Sequence, residues 1–315
     1  MTTAGSTATA TATATATVAA TATATRPGGA NAPYRERVLR DAGAITLPDL
    51  DHHVDGEPLF RSASPEGLLT LTVRGDQLPT AYLDDVYRFR LAQYLKRGWL
   101  NEEVAAAADL GAEPYDGHAL QDQHTLVVEE DTGRLRGYGT LAHTRSPVQT
   151  LLGDAAHLPF VVERDYGLRL ADELGASTPS HHVWEGKRLV RDYAMGRSQA
   201  AVSVPWWVYR GWAEGCLRAL AEDGAAIVGD GKPGGAVLQL SLLGFHTRML
   251  DVPANPADPT DLFAPMWDQQ QRSYPFVLTD ANALRPTLSH LDAILASGET
   301  GSVAARLTAF KEERA

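Results

Sequence analysis

The chain of 315 residues contains a single cysteine, Cys216, so no disulfide can form within it, and a reducing, cytoplasmic setting is expected. Cys216 lies in "AEGCLRAL", an amphipathic helical pattern, which reads as a small core residue rather than a nucleophile. Basic residues are also short: 28 Lys and Arg stand against 39 Asp and Glu, a net charge of -11. Phosphate binding draws on surplus Lys and Arg, so a nucleic-acid partner is not expected. No run reaches the ~20 apolar residues of a membrane span, so no membrane partner is expected either. There is no G-x-G-x-x-G after a strand and no P-loop, which argues against a doubly wound nucleotide-binding fold. Charge is missing altogether from the first 25 residues, which hold 11 Thr and 10 Ala. They lack the basic and apolar regions of a signal peptide and have little to bury. Residues 1–33 are expected to be a disordered tail, although the Thr/Ala alternation could also support a strand.

What is present is ordinary for a globular protein: 44% apolar and 21% charged residues, enough for one large domain or two small ones. Residues 34–65 read as an N-terminal extension of apolar residues scattered among Pro and Gly. In "DLDHHVDGE" two adjacent histidines are flanked by acids, but adjacent side chains point apart and the spacing fits no zinc pattern. A solvated loop is expected there, and no metal.

From residue 66 the periodicity sharpens. "LLTLTV" (68–73) alternates like a strand, and "YLDDVYRFRLAQYLKRGWL" reads as a helix with Leu83, Val86, Tyr87, Leu91, Tyr94 and Leu95 on one face. Arg90 falls inside that apolar stripe, so it either finds a carboxylate or bound anion or snorkels to the stripe's edge. Residues 101–123 read as a mobile acidic stretch. "HTLVVEEDTGRLRGYGTLA" is a hairpin pairing Thr125–Glu129 with Leu135–Ala142. A short helix is expected after Pro147, and residues 156–174 look helical. "HHVWEGKRLVRD" reads as a strand, "VPWWVYRGWAEGCLRALAEDGA" as a helix with Pro205 near its start, "AAIVG" as a strand, "GGAVLQLSLLGF" as a helix closed by Gly244, and "FHTRML" as a strand. This order predicts an α/β (α+β) fold: a mostly antiparallel twisted sheet flanked by helices, with one helical crossover near its end. In residues 251–315, Leu262, Phe263, Met266 and Trp267 are expected to hold a loop on the core. "YPFVL" suggests a strand, and two terminal helices follow.

The order of elements resembles the three-layer sandwich of the GNAT acyltransferases, and several segments resemble the acyl-homoserine-lactone (autoinducer) synthases within it. "VYRFRLAQYLKRGW" is similar to that family's N-terminal helix, giving Arg90, Tyr94 and Trp99. "DGHALQDQ" resembles its acidic loop, giving Asp116 and Asp122, and "VWEGKRLVRD" resembles its Glu-x-x-Arg strand, giving Glu185 and Arg188. Thr144 and Pro147 keep the pattern that follows the third strand. The resemblance spans residues 66–250, taken as the catalytic domain, with 251–315 as a C-terminal extension. Departures are visible: Tyr94 stands for a Phe, Trp99 comes one residue early, and Thr140 stands where the family has an Arg.

The resemblance implies a transferase that joins an acyl thioester, from acyl-CoA or an acyl carrier protein, to the amine of S-adenosylmethionine, closes a lactone and releases methylthioadenosine. Acids would hold the substrate's cationic groups and a guanidinium its carboxylate. Glu185 is then the expected general base, and Arg90, Trp99, Asp116, Asp122, Thr144 and Arg188 the expected substrate contacts. Residues three apart on a regular strand face opposite sides, so Glu185 and Arg188 share a site only across a bulge, for which Gly186 is suited. Otherwise one of them pairs with a helix residue such as Asp84, Asp85 or Arg90, and a buried Glu185–Arg90 or Glu185–Arg188 pair would only fix the sheet to the helix. An ordinary acyl-CoA N-acyltransferase, a non-acylating S-adenosylmethionine enzyme and an inactive binding module remain open, as do monomer and homodimer.

Overall fold

The computed structural model describes residues 32–115, 120–196, 198–221, 225–255, 258, 260–267, 273–280, 284–299 and 302–314. The predicted tail, apart from residues 32 and 33, and the predicted site residue Asp116 lie outside them. In chain order the elements are α1 (Ala32–Gly43), α2 (Leu50–His53), β1 (Phe60–Ala63), β2 (Leu68–Arg74), α3 (Thr80–Arg97), α4 (Glu102–Ala107), β3 (Gln123–Glu129), β4 (Leu135–Ala142), α5 (Val161–Tyr166), α6 (Leu170–Leu174), β5 (Val183–Arg191), α7 (Gln199–Ala219), β6 (Ala226–Gly231), α8 (Leu238–Leu243), β7 (Thr247–Met249), α9 (Ala264–Trp267), β8 (Tyr274–Leu278), α10 (Leu284–Ala296) and α11 (Val303–Glu312).

The eight strands form one sheet in the order β1-β2-β3-β4-β5-β6-β8-β7. Every neighbouring pair is antiparallel except β5 and β6, which run parallel and are joined by the crossover helix α7. The alternation of β2 divides it between two cores. Leu69, Leu71 and Val73 join Phe89, Leu91 and Leu95 of α3 on one face. On the other face, Thr70 and Thr72 meet α7 so closely that a Cβ on Gly211 would lie 2.7 Å from both Thr125 and Thr72. That second face is filled by α7, α8, α10 and α11 through Trp206, Trp207, Trp212, Leu243 and Leu288. Helices α5 and α6 cover the β5–β6–β8 part of the first face, against Val183, Val228 and Val277. Helices thus lie on both sides of a mostly antiparallel sheet, the GNAT-like three-layer arrangement.

Several local expectations are corrected. Residues 102–107 form α4, capped by Asn101, whose side chain accepts from the Val104 amide, where a mobile stretch was expected. The segment after Pro147 makes turns, not a helix, because polar side chains take its amides, as when Asp154 accepts from the Leu151 amide. The expected helix over 156–174 is two short ones, broken at Gly167, which adopts a left-handed φ of 60°. Pro205 lies inside α7, whose cap is Ser198. Strand β1 in the N-terminal extension and strand β8 in the C-terminal extension both belong to the sheet, and α1 begins at Ala32.

Candidate functional site

The face of β5 toward α3 and α5 carries Glu185, Lys187, Arg188 and Val190. Glu185 is 3% exposed. The Val162 amide donates to its Oε1 at 2.7 Å and the Val161 amide to its Oε2 at 3.2 Å, so the first turn of α5 is seated on the carboxylate. Lys187 Nζ lies 3.2 Å from Oε2. Residues two apart on a strand share a face, so this pairing was available from the sequence and was missed.

Beyond Lys187 the strand bulges. Thr140 pairs with Lys187 and Tyr138 with Val190, so Arg188 and Leu189 together oppose Gly139. Arg188 adopts a left-handed φ of 61°, rare for a side chain of its size. The extra residue returns Arg188 to the face that bears Glu185, while Leu189 packs toward α7. The bulge therefore exists but lies two residues beyond Gly186. That glycine serves packing: a Cβ there would lie 2.7 Å from Trp212.

Arg188 meets Glu113, an acid outside the expected set of Glu185, Asp84 and Asp85. Its Nε lies 3.2 Å from Glu113 Oε1, and its guanidinium stacks 4.8 Å from the centre of the Phe263 ring. Arg90 on α3 reaches the same acid, Nε to Oε2 at 2.7 Å. Arg90 and the Glu113 side chain are both 0% exposed, which makes a buried Arg–Glu–Arg triad. Tyr87, Tyr115 and Tyr138 ring the Arg90 guanidinium at 5.4–5.5 Å. The Glu113 contact is a charge pair without an aligned hydrogen bond, and the two terminal nitrogens of Arg90 have no hydrogen-bond partner. Burial opposes the charge of Arg90, but Glu113 and the Tyr94 and Tyr138 hydroxyls outweigh it and keep the guanidinium protonated. Glu113 was not singled out from the sequence. The signal was indirect: a buried arginine needs an acid, and "GAEPYD" supplies one.

Asp122 is 0% exposed. The His143 amide donates to its Oδ1 at 2.7 Å and the Tyr115 hydroxyl to its Oδ2. Burial pushes its carboxyl up to about 7; the His143 amide and Lys187 pull it down, and Glu185 adds to the rise. Two further acids approach Glu185 from α5 and β6. Asp165 is pushed up to about 6 by burial, against the pull of Arg164 and with Asp230 and Glu185 adding. Asp230 is raised in the same direction by the protein packed around it and by Glu185, although its side chain is exposed at the end of β6. Neither residue was predicted.

The other predicted residues flank this centre. Trp99, after the left-handed cap Gly98, lies under the Arg97 guanidinium, meets Tyr193 edge-on and is 5.9 Å from Tyr94. Tyr94 meets Phe263, so Trp99 reaches the triad only through these rings. Thr144 is buried in the loop after β4, where its hydroxyl accepts from the Ser146 amide, and no charged group of the triad touches it. Its neighbour His143 is the link to Asp122. Thr140 is bonded to the Tyr138 hydroxyl, which meets His124 Nδ1 at 2.7 Å.

Pairing between β5 and β6 ends at Gly186 and Gly229, although β5 continues to Arg191. The strands part there, and a cavity of 160 Å³ opens beside the gap, lined by Leu189, Arg191, Tyr193, Val208, Tyr209 and Gln239 among others. Arg97 and Arg191 both stack on Tyr193. Burial and the charge of Arg97 hold Lys232 below the usual ammonium range. Among the described residues no group of His, Cys, Asp and Glu could hold a metal ion, and no helix is long and apolar enough to cross a membrane.

No protein-family model matches the sequence, and no curated protein matches it. Among solved structures, the chain is similar to BjaI, a CoA-dependent acyl-homoserine lactone synthase, with MTA: 15% identity, 75% of this chain and 97% of that chain covered, TM-score 0.46. It is similar to TofI in a ternary complex with an inhibitor and MTA, at 13% identity over 70% and 96% of the two chains, with a TM-score of 0.43. A GCN5-related N-acetyltransferase from Brucella melitensis is similar at 11% identity over 81% and 90%, with a TM-score of 0.34.

Proposed function

We propose that the protein is a transferase acting on S-adenosylmethionine, acylating its amine from a thioester and releasing methylthioadenosine. The observation that carries this reading is the division of charge in the buried site. Arg90 and Arg188 both meet the Glu113 carboxylate, and the terminal nitrogens of the fully buried Arg90 make no aligned hydrogen bond. Beside them stand three acids: Asp122, Glu185 and Asp165. Such a site complements a small molecule that bears one carboxylate and more than one cationic centre. The carboxylate suits a planar guanidinium fork, and the ammonium and sulfonium suit the acids.

An ammonium must lose a proton before it can attack a thioester. Asp122, with its carboxyl near 7, suits that transfer at neutral pH, directly or through water. Glu185 already receives two amides and Lys187, so its role here is to hold positive charge. Expulsion of methylthioadenosine by an oxygen of the substrate's own amide or carboxylate would then close the ring, with the sulfonium leaving as a neutral thioether. The gap between β5 and β6, with Arg97, Arg191 and Lys232 near it, supports a thioester donor that carries phosphate, either acyl-CoA or an acyl carrier protein. That gap equally favours a second reading, an ordinary N-acyltransferase working on another small amine.

Two measurements test the proposal. A ligand at a hundred times its Kd stabilises the fold by ~2.7 kcal/mol, so the melting temperature should climb with S-adenosylmethionine. Chromatography should then detect methylthioadenosine when a thioester panel is added. Free CoA without methylthioadenosine transfers the assignment to the second reading. Methylthioadenosine without thioester consumption indicates attack by the substrate's own atoms alone.

A further inference from the structure

The loop between β4 and α5 has a histidine at its centre that the proposed chemistry does not use. His157 Nε2 lies 2.8 Å from Glu163 Oε2, and its Nδ1 lies 3.0 Å from Ser180 Oγ and 3.2 Å from Ser146 Oγ. A carboxylate only accepts, so Nε2 carries the proton and Nδ1 faces the hydroxyls. Each partner is itself tied down. Glu163 accepts from the Phe160 amide at 3.0 Å and the Leu170 amide at 2.9 Å, which joins the starts of α5 and α6. Ser146 accepts from the Leu158 amide at 2.9 Å, and its own amide donates to Thr144. Ser180, 1% exposed, donates its amide to the Thr150 carbonyl at 2.8 Å. The residues that follow Phe160 are Val161 and Val162, whose amides hold Glu185.

We propose that His157 is a positioning residue for Glu185: by clamping Glu163 to the Ser146 and Ser180 hydroxyls, it fixes the first turn of α5 so that the Val161 and Val162 amides meet the carboxylate. The geometry favours this over a loop staple that merely adds stability. Glu163 stands at the third position of the same turn that presents those amides, so a shift of the imidazole is passed to them across a single carboxylate. It also gives Thr144 an indirect place in the site, as the anchor of Ser146. The consequence for substrate holding rests on the reading of Glu185 given above.

The test reads the two amides directly. The protein is labelled with 15N-valine, and the Val161 and Val162 signals are identified by Val161→Ile and Val162→Ile. A hydrogen bond to a carboxylate moves an amide proton downfield, so Glu185→Gln should move both signals upfield and calibrate the scale. His157→Ala should move them upfield by a comparable amount. His157→Gln, which can still offer an amide N–H to Glu163, should restore part of the shift. If His157→Ala does not fold, the double variant Ser146→Ala/Ser180→Ala removes the other side of the clamp and should move both signals in the same direction. A folded His157→Ala, or failing that a folded double variant, with both valine signals unmoved would overturn the proposal. Wild-type protein that neither shifts with S-adenosylmethionine nor releases methylthioadenosine would sink the functional reading and leave the valine result standing.

Discussion

At the residue scale, Asp122 and Glu185 respond to the same change in opposite ways. Asp122 is held above its ordinary range, so at pH 8 the fold carries its charge at a cost. Asp122→Asn removes that charge while preserving an acceptor for the His143 amide. We expect the variant to melt higher than the wild type at pH 8 and to turn over ~10²-fold or more slowly, since a proton acceptor typically contributes that much. Unchanged methylthioadenosine release in a folded Asp122→Asn would remove it as the base. Glu185→Gln removes the carboxylate 3.2 Å from the Lys187 ammonium, and losing one partner of a buried pair costs on the order of 3 kcal/mol. Adding Lys187→Met should recover most of the stability and none of the substrate binding. Urea titration of the single and double variants measures the first effect, and a melt series with S-adenosylmethionine the second.

At the scale of the element, β5 carries the main structural device. One additional residue in the strand, Arg188 in the left-handed region, turns a guanidinium that regular alternation would send toward α7 onto the face of Glu185. A residue with a Cβ costs roughly 1–2 kcal/mol in that conformation, whereas glycine adopts it freely. Arg188→Gly should therefore be more stable than Arg188→Ala by about 1 kcal/mol in urea titration, and both should lose substrate. Equal stability of the two would mean that the bulge does not hold residue 188 at positive φ. The same strand was legible in part. "VWEGKRLVRD" announces a strand and its Glu-x-x-Arg pair, but a bulge has no periodic signature, and the glycine that suggested one is occupied with Trp212.

Across the whole molecule, the raised acids set a dependence of stability on pH. Burial raises Asp122 to about 7 and Asp165 to about 6 in the folded state, above the ~3.9 of an unfolded aspartate. The folded chain therefore binds more protons than the unfolded one between about pH 4 and 7, and the stability gained by protonation is lost as pH rises through 6 and 7. Asp192 and Glu129 act in the opposite sense. Burial opposes their charge, but the Ala194 amide with Lys96 and Arg136 for Asp192, and Arg136 with Thr132 for Glu129, hold them below their ordinary range. Their contribution is present above about pH 4 and fails as pH falls below it. Calorimetry at constant ionic strength should find the highest melting temperature near pH 5 and a decline toward pH 8. Saturating S-adenosylmethionine should flatten that decline, because a bound cation lowers the acids it meets. A melting temperature that rises from pH 5 to pH 8 would contradict both assignments together.

What the sequence determined by itself was whatever local periodicity encodes. The β3–β4 hairpin, β2, β5, β6, β8 and the long helices α3 and α7 lie where alternation and helical spacing put them. Arg90 in the apolar stripe of α3 announced a buried charge in need of a partner. The choice of partner was decided only by tertiary packing. Glu113 lies in a segment without periodicity, far along the chain from both arginines, and nothing local ties it to either. Asp165 and Asp230 come near Glu185 because α5 and β6 converge on it, and Phe263 meets Arg188 because the segment before α9 returns to β5. Local pattern fixes which way a side chain points from its own element. Which charge it meets there depends on how distant elements pack, and a buried ion pair forms between whichever groups that packing leaves without water.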